Sequence, residues 1–491
     1  MSTHLTGQAT GHVEAQLSGS DPAGAPCQVR MGTAPARWIL AASILATGMA
    51  FLDGTVVNVA LRAIGADLDA DLADLQWVVN AYLLVLAALI LLAGSLADLF
   101  GRRRVFLIGV VWFAAASVAC GLAQDPTTLI AARALQGVGG ALLTPGSLAI
   151  IQSAFHKEDR AAAIGAWSGM AGVTTALGPV VGGWLVQSAS WRYVFWINVP
   201  LAVVVVVIAL RHVPESRNPD LSGSYVDVTG AALGAVGLGG LTYALIEMPS
   251  GGALPLLAGV VGMGALVAFV LSQRHGAHPM VPPSLFRSRA FNATNGLTLV
   301  VYGALGGLTF LLVLQLQVVA GYTPLEAGVA TLPLTLLMLL FSSWSGRLAT
   351  RLGPRPQLTL GPALAAVGTL LLAMVDEDAS YWLDVLPGVV VFGAGLTLLV
   401  APLTATVLAA APDRHAGVAS GVNNAIARTG SLLAVAALPV LVGLSGDNYE
   451  DPQTMADGYI AGMVACAALL LVGGLVAFLG LARSERAVLA R

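Results

Sequence analysis

The chain is built from long apolar stretches separated by short polar ones. Six such stretches lie near 38–60, 76–97, 104–123, 127–152, 161–187 and 191–210. Two more follow near 226–246 and 254–272, and six close the series near 292–317, 327–349, 357–375, 383–411, 417–444 and 459–482. A bilayer core of about 30 Å takes about 20 apolar residues per helix, so the pattern predicts fourteen transmembrane helices. Gly- and Pro-rich interruptions fall at span ends or inside long spans, where packing partners satisfy the freed backbone groups.

Charge placement agrees with that count. With a cytoplasmic N-terminus, alternate loops carry Arg30, Arg37, Arg102 to Arg104, Lys157, Arg160, Arg211, Arg217, Arg274, Arg287, Arg289, Arg347, Arg351, Arg355, Arg414, Arg483, Arg486 and Arg491. The opposite loops hold only Arg62 and Arg192, and are acidic at Asp67 to Asp74, Asp376 to Asp378 and Asp447 to Asp451. One miscounted helix would invert every downstream loop and destroy the alternation. The expectation is an all-α polytopic membrane protein of fourteen helices with both termini cytoplasmic.

Composition narrows the class. The chain is 57% hydrophobic and 10% charged, against roughly 25% charged in soluble domains. A net charge of −3 gives no basic field for nucleic acid. Cys27, Cys120 and Cys466 are too far apart in sequence to read as a disulfide framework or a metal site. The seven histidines are scattered over tails and loops. Residues 1–37 read as a disordered cytoplasmic tail, and 483–491 as a cytoplasmic tail. The start of the chain lacks the basic n-region and short apolar core of a signal peptide, so the first span is expected to direct its own insertion.

Two ionisable groups lie well inside spans of the first half. Asp53 sits in span one within Leu52-Asp53-Gly54-Thr55, and Arg133 sits in span four within Arg133-Ala134-Leu135-Gln136-Gly137-Val138-Gly139-Gly140. Counted from the outer surface, both lie roughly 10 Å deep at 1.5 Å per residue. A charge at that depth is costly and needs a partner. Burial and a nearby cation act in opposite directions on a carboxylate, which suits such a pair to hold or release a proton. The alternative is a static structural ion pair. The glycines after Arg133 imitate part of a dinucleotide fingerprint, but no strand precedes them, and close helix packing is their better use.

Between spans two and three stands Gly94-Ser95-Leu96-Ala97-Asp98-Leu99-Phe100-Gly101-Arg102-Arg103-Arg104. Its glycines permit a tight two-helix turn, and Asp98 is placed to pair with Arg102 four residues on. The arginines alone read as a positive-inside loop. The whole string resembles the signature loop of the major facilitator superfamily. A degenerate copy, Gly346-Arg347-Leu348-Ala349-Thr350-Arg351-Leu352-Gly353-Pro354-Arg355, marks an internal repeat in which Thr350 replaces the acidic residue. In span five, Gly178-Pro179-Val180-Val181-Gly182-Gly183 resembles the antiporter motif of superfamily exporters. Trp191-Arg192-Tyr193-Val194-Phe195-Trp196-Ile197-Asn198-Val199-Pro200 is similar to a pattern of the fourteen-helix drug:proton antiporter branch. Leu314 to Gln317 with Gly321 to Gly328, and Ala419 to Asn424 through Arg428 and Gly430, are similar to later motifs of that branch. One departure is Arg62, where the family usually has proline.

The resemblance implies two six-helix bundles, 38–210 and 291–482, with two further helices inserted in a linker over 211–290. It implies alternating access around a midplane cavity, with Gly94, Asp98, Gly101 and Arg102 as a conformational gate. Asp98 would sit against the start of span thirteen near Gly417. The function implied is proton-driven export of amphipathic drugs or antibiotics across the cytoplasmic membrane of a bacterium. Asp53 would carry the proton with Arg133 as its charge partner, and Gly178, Pro179, Gly182 and Gly183 would form the hinge. Gln315, Gln317, Asn423, Asn424 and Arg428 are candidates for the few polar contacts of an apolar cavity. Arg428 reads either as a selector of anionic drugs or as a structural cation, and Glu247 as a solvated helix end. No cofactor, metal, nucleic acid or obligate protein partner is expected, only protons, lipid and small amphipathic molecules. An exporter dedicated to one natural product, lipid or siderophore is the alternative. An enzyme would need clustered acidic, His or Cys groups at one membrane face, which the sequence does not offer.

Overall fold

The computed structural model describes residues 28–217, 226–276, 279–412 and 415–481. Among these the chain is helical, with one isolated bridge between Val29 and Phe155. The first bundle comprises α1 (Ala34–Leu68), α2 (Leu72–Phe100), α3 (Arg102–Leu122), α4 (Pro126–Ala154), α5 (Arg160–Ser188) and α6 (Tyr193–His212). A hairpin of α7 (Val228–Glu247) and α8 (Ala253–His275) follows. The second bundle comprises α9 (Arg289–Val318), α10 (Pro324–Leu352), α11 (Pro354–Leu372), α12 (Tyr381–Ala409), α13 (Ala416–Leu441) and α14 (Pro452–Gly480). Among the described residues, thirteen helices are long and apolar enough to cross a membrane. The other, α11, has 19 residues and falls on the eleventh apolar stretch.

Local chemistry sets where the helices begin. Asp71, Asp125 and Asp451 accept the backbone N–H groups of Asp74, Thr128 and Thr454, capping α2, α4 and α14, with Pro126 and Pro452 opening their helices. Thr323 and Glu326 form a reciprocal capping box at α10. Some of the acidic loop residues are therefore helix caps. Pro200 and Pro333, which lack a backbone N–H, lie just past the breaks in α6 at Ile197 and in α10 at Thr331.

The two bundles repeat one packing scheme. In the first, α3 packs on α4, α2 on α4, α1 on α5 and α6, and α3 on α6; the second pairs α11 with α12, α10 with α12, α9 with α13 and α14, and α11 with α14. Between bundles, α2 meets α13 and α5 meets α10, while α1 reaches α9. The α7–α8 hairpin lies along one of these seams, since α7 touches both α2 and α13. Large apolar side chains of α8, including Leu254, Leu256, Leu257 and Val260, are exposed, as a lipid-facing helix requires.

Contact between α2 and α13 runs inward as far as Leu91 and Gly421, but the polar ties between the bundles lie at the acidic-loop face. There Leu72 donates its N–H to the Gly446 carbonyl, and Gln76 donates to the Val435 and Ala436 carbonyls at 2.6 and 3.1 Å. Gln317 donates to the Val59 carbonyl at 3.0 Å, and Arg62 donates to the Gln317 carbonyl. Toward the basic-loop face the α5–α10 seam parts: a Cβ added at Gly165, Gly169 or Gly172 of α5, or at Gly346 of α10, would meet nothing within 4 Å.

Part of the tail expected to be disordered is placed. Arg30 pairs with Glu158 at 2.6 Å and Met31 donates its N–H to Asp159, so the segment just before α1 rests on the α4–α5 loop. Residues 1–27 and the tail 483–491 lie outside the described residues, as does Arg414.

Candidate functional site: a sealed ion pair beside two seams

Asp53 on α1 and Arg133 on α4 meet inside the first bundle, with side chains 0% and 1% exposed. Arg133 Nη1 is 2.5 Å from Asp53 Oδ2 and also donates to Gln136 Oε1 at 2.6 Å. Its Nε donates to the Val78 carbonyl of α2 at 2.9 Å. The guanidinium lies over the Tyr82 ring at 4.5 Å, with the Phe195 ring at 5.7 Å. The other carboxylate oxygen, Asp53 Oδ1, accepts from Gln136 Nε2 at 2.7 Å and Asn198 Nδ2 at 3.3 Å. Both amides also reach Ser117 Oγ of α3, at 2.9 and 3.3 Å.

Five helices thus converge on one charge pair, and small residues let them. A Cβ at Gly137 would press on the Tyr82 carbonyl, and one at Gly139 on the Phe113 backbone, at 2.8 and 2.6 Å. The glycines after Arg133 serve helix packing. Removing either charge would leave the other buried without compensation, at a cost of about 3–5 kcal/mol.

The loop string behaves as its spacing predicts. Arg102 Nε and Nη2 lie 2.9 and 2.8 Å from Asp98 Oδ1. Gly101 takes φ +108°, a conformation that favours glycine, and its missing Cβ leaves room for the Glu215 carboxylate. Glu215 accepts from the backbone N–H groups of Arg103 and Arg104 at 3.1 and 3.2 Å, capping α3. Gly94 and Gly417 face open space, and Asp98 pairs with Arg102 within its own loop.

On α5 the outer glycines are tight where the inner ones are open. A Cβ at Gly178 would collide with Thr55 Oγ1, one at Gly182 would meet Val56 at 3.1 Å, and one at Gly183 would collide with the Pro324 backbone. The reciprocal contact is Gly328 against the Pro179 carbonyl. Pro179 therefore stands where α5 crosses α10, inside the closed part of the seam.

The five polar residues named for the cavity separate into two groups. Gln315 donates to the Val375 carbonyl at 2.9 Å, Gln317 to Val59, and Asn423 to Asn295 and Thr298 of α9 at 3.0 and 2.8 Å. These amides are committed to protein partners. Asn424 and Arg428 are half-buried on the side of α13 that faces the first bundle, and the Arg428 guanidinium lies 5.6 Å from the Phe51 ring. Glu247 accepts from Trp77 Nε1 at 3.1 Å, tying α7 to α2.

Sequence reasoning assigned no role to Gln136, Ser117, Asn198, Tyr82 or Glu215. The signal for Gln136 was its place three residues after Arg133, on the same helix face. Asn198 stood inside the quoted Trp191–Pro200 string. No local pattern marks Ser117 or Glu215. Among the described residues no group of His, Cys, Asp and Glu is placed to hold a metal ion.

Two repeated six-helix bundles flanking a seam, with a sealed ion pair at its side, define a membrane transporter architecture. The chain belongs to the major facilitator superfamily, whose family model matches residues 43–435. A tetracenomycin C resistance and export protein of Streptomyces glaucescens is 36% identical over 416 residues, covering 83% of this chain and 76% of that protein. The multidrug resistance protein Stp of Mycobacterium tuberculosis is 36% identical over 404 residues, covering 81% and 74%. A solved bacterial homologue of the human lysosomal transporter Spinster shares the fold, with a TM-score of 0.65 at 17% identity over 91% of this chain and 97% of that one. The chain is accordingly a transporter and not an enzyme, and a multi-pass protein of the bacterial cell membrane.

Proposed function

We propose that this protein exports amphipathic, drug-like molecules across the cytoplasmic membrane in exchange for protons, through fourteen crossings with both termini inside. The acidic-loop face is then external and the basic-loop face cytoplasmic. Resistance and export proteins among the relatives support the cargo class. The α5–α10 seam, joined outside and parted inside, supports an inward-open stage of alternating access.

The observation that carries the coupling is the Asp53–Arg133 pair. Protonating Asp53 removes the charge that compensates a fully buried guanidinium, which then needs a new partner. Gln136 Oε1 already touches Nη1, and the Val78 carbonyl touches Nε. Proton uptake thereby changes what α4 holds against α1 and α2, and α1 is the helix that reaches α9 across the seam. Net charge at the pair, not its mere presence, drives the exchange of bundle positions.

The test separates a coupling pair from a static one. In proteoliposomes, Asp53→Asn should abolish uphill transport against a substrate gradient while preserving substrate-for-substrate exchange, because an uncharged residue mimics the protonated state permanently. Uncoupler-sensitive accumulation at the wild-type rate in Asp53→Asn would show that the proton is carried elsewhere.

A further inference from the structure

Arg428 is the second arginine inside a span, and unlike Arg133 it has no carboxylate. None of the ion pairs among the described residues includes it. Its side of α13 is fixed by neighbours: Gly421, two turns earlier, lies against Leu91 of α2, whereas Asn423 points the other way into α9. Asn424 shares the side of Arg428. Across the seam, Phe51 stacks near the guanidinium, and Asn58 stands two turns along the same face of α1. All four residues are half-buried, and the amide of Asn58 has no hydrogen-bond partner among the described residues. Below them the seam opens toward the basic-loop face at Gly165, Gly169 and Gly172.

A guanidinium at membrane depth is costly unless negative charge or water meets it. It offers five N–H donors in a planar fork, and here no protein acceptor among the described residues takes one. A carboxylate or a phenolate matches that fork in charge and plane. The Phe51 ring beside it matches a flat apolar body.

We propose that Arg428 is an anion-recognition residue at the seam, and that the exported molecules are flat apolar compounds carrying a carboxylate or acidic phenol. This rests on the export reading above and names its substrate class. Arg428 supplies the charge, Phe51 the apolar contact, and Asn424 and Asn58 the neighbouring amides.

The experiment uses two dyes with the same xanthene body and opposite charge, carboxyfluorescein and rhodamine 6G. Their binding to the purified full chain in nanodiscs is followed by fluorescence polarisation with no proton gradient. The wild type should bind carboxyfluorescein, Arg428→Gln should raise its Kd at least tenfold, and Arg428→Lys should restore part of the loss. Rhodamine 6G should bind Arg428→Gln as well as or better than wild type. Unchanged carboxyfluorescein binding in Arg428→Gln overturns the proposal. So does equal loss of both dyes in a normally melting variant, the mark of a structural cation, and so does a wild type that binds no carboxyfluorescein. Because binding needs no gradient, anion binding without uncoupler-sensitive export would keep this site and overturn the export reading instead.

Discussion

Asp53 and Arg133 stand 80 residues apart in the chain and meet at 2.5 Å with neither side chain reachable by solvent. Such a pair stabilises little in net terms, yet breaking one side strands the other. Asp53→Asn and Arg133→Gln should therefore each destabilise the detergent-purified protein by about 3–5 kcal/mol, while the double variant should recover most of that loss. Thermal melting of the four proteins measures it. Additive losses in the double variant would mean that the two groups do not compensate one another.

Asn80 carries a different kind of cost. It lies one turn from Gln76 on the side of α2 that faces α13, it is fully buried, and neither amide atom has a partner. An unpaired buried polar group costs roughly 1–3 kcal/mol. Water would reach it when this seam opens. Asn80→Leu is expected to raise the melting temperature and slow turnover, because it stabilises the closed outer seam alone. Faster turnover together with a higher melting temperature would place Asn80 away from the moving contact.

Much of this was legible in the sequence, and the division has a physical basis. Span positions follow from hydropathy, and the depth of Asp53 and Arg133 follows from counting residues along two helices. Which side of a helix meets which neighbour does not. Gln315 and Gln317 read as cavity residues because polar groups in spans are scarce, but helix phase carries Gln317 onto α1 and Gln315 onto the end of α11. Asn423 and Asn424 are adjacent, yet Asn423 reaches α9 and Asn424 only the Ser420 carbonyl of its own helix, which the packing of α13 decides. Ser117 was invisible for the same reason: a lone serine in an apolar run acquires a role only when α3 brings it to Gln136 and Asn198.

The outer closure of α5 on α10 depends on the absence of side chains. A Cβ at Gly183 would run into the Pro324 backbone and one at Gly328 into the Pro179 carbonyl, and backbone has no flexible end to move aside. Gly183→Ala and Gly328→Ala should insert normally, yet hold the seam open. Transport should fall at least tenfold, and a cysteine introduced at Gln317 should become reactive to a membrane-impermeant maleimide added from outside. Gly169→Ala, which meets open space, should do neither. Unaltered labelling in Gly183→Ala would show that this crossing is not the outer closure.

In the alternating-access reading proposed above, Asp98 is the opposite latch. In the present arrangement it is partly exposed and pairs with Arg102, four residues away. When the inner halves of the bundles close, Asp98 can exchange Arg102 for the beginning of α13, where a helix N-terminus favours negative charge by about 0.3–1 kcal/mol. That gain is small, and a latch that holds weakly is one the cycle can release. Asp98→Asn keeps the side chain's size, loses the charge, and should weaken transport severalfold without lowering the amount of protein in the membrane. Asp98→Glu should recover part of the rate. Efflux by Asp98→Asn at the wild-type rate and normal expression would mean that Asp98 only positions Arg102 within the loop, and that the inner closure draws its stability from elsewhere.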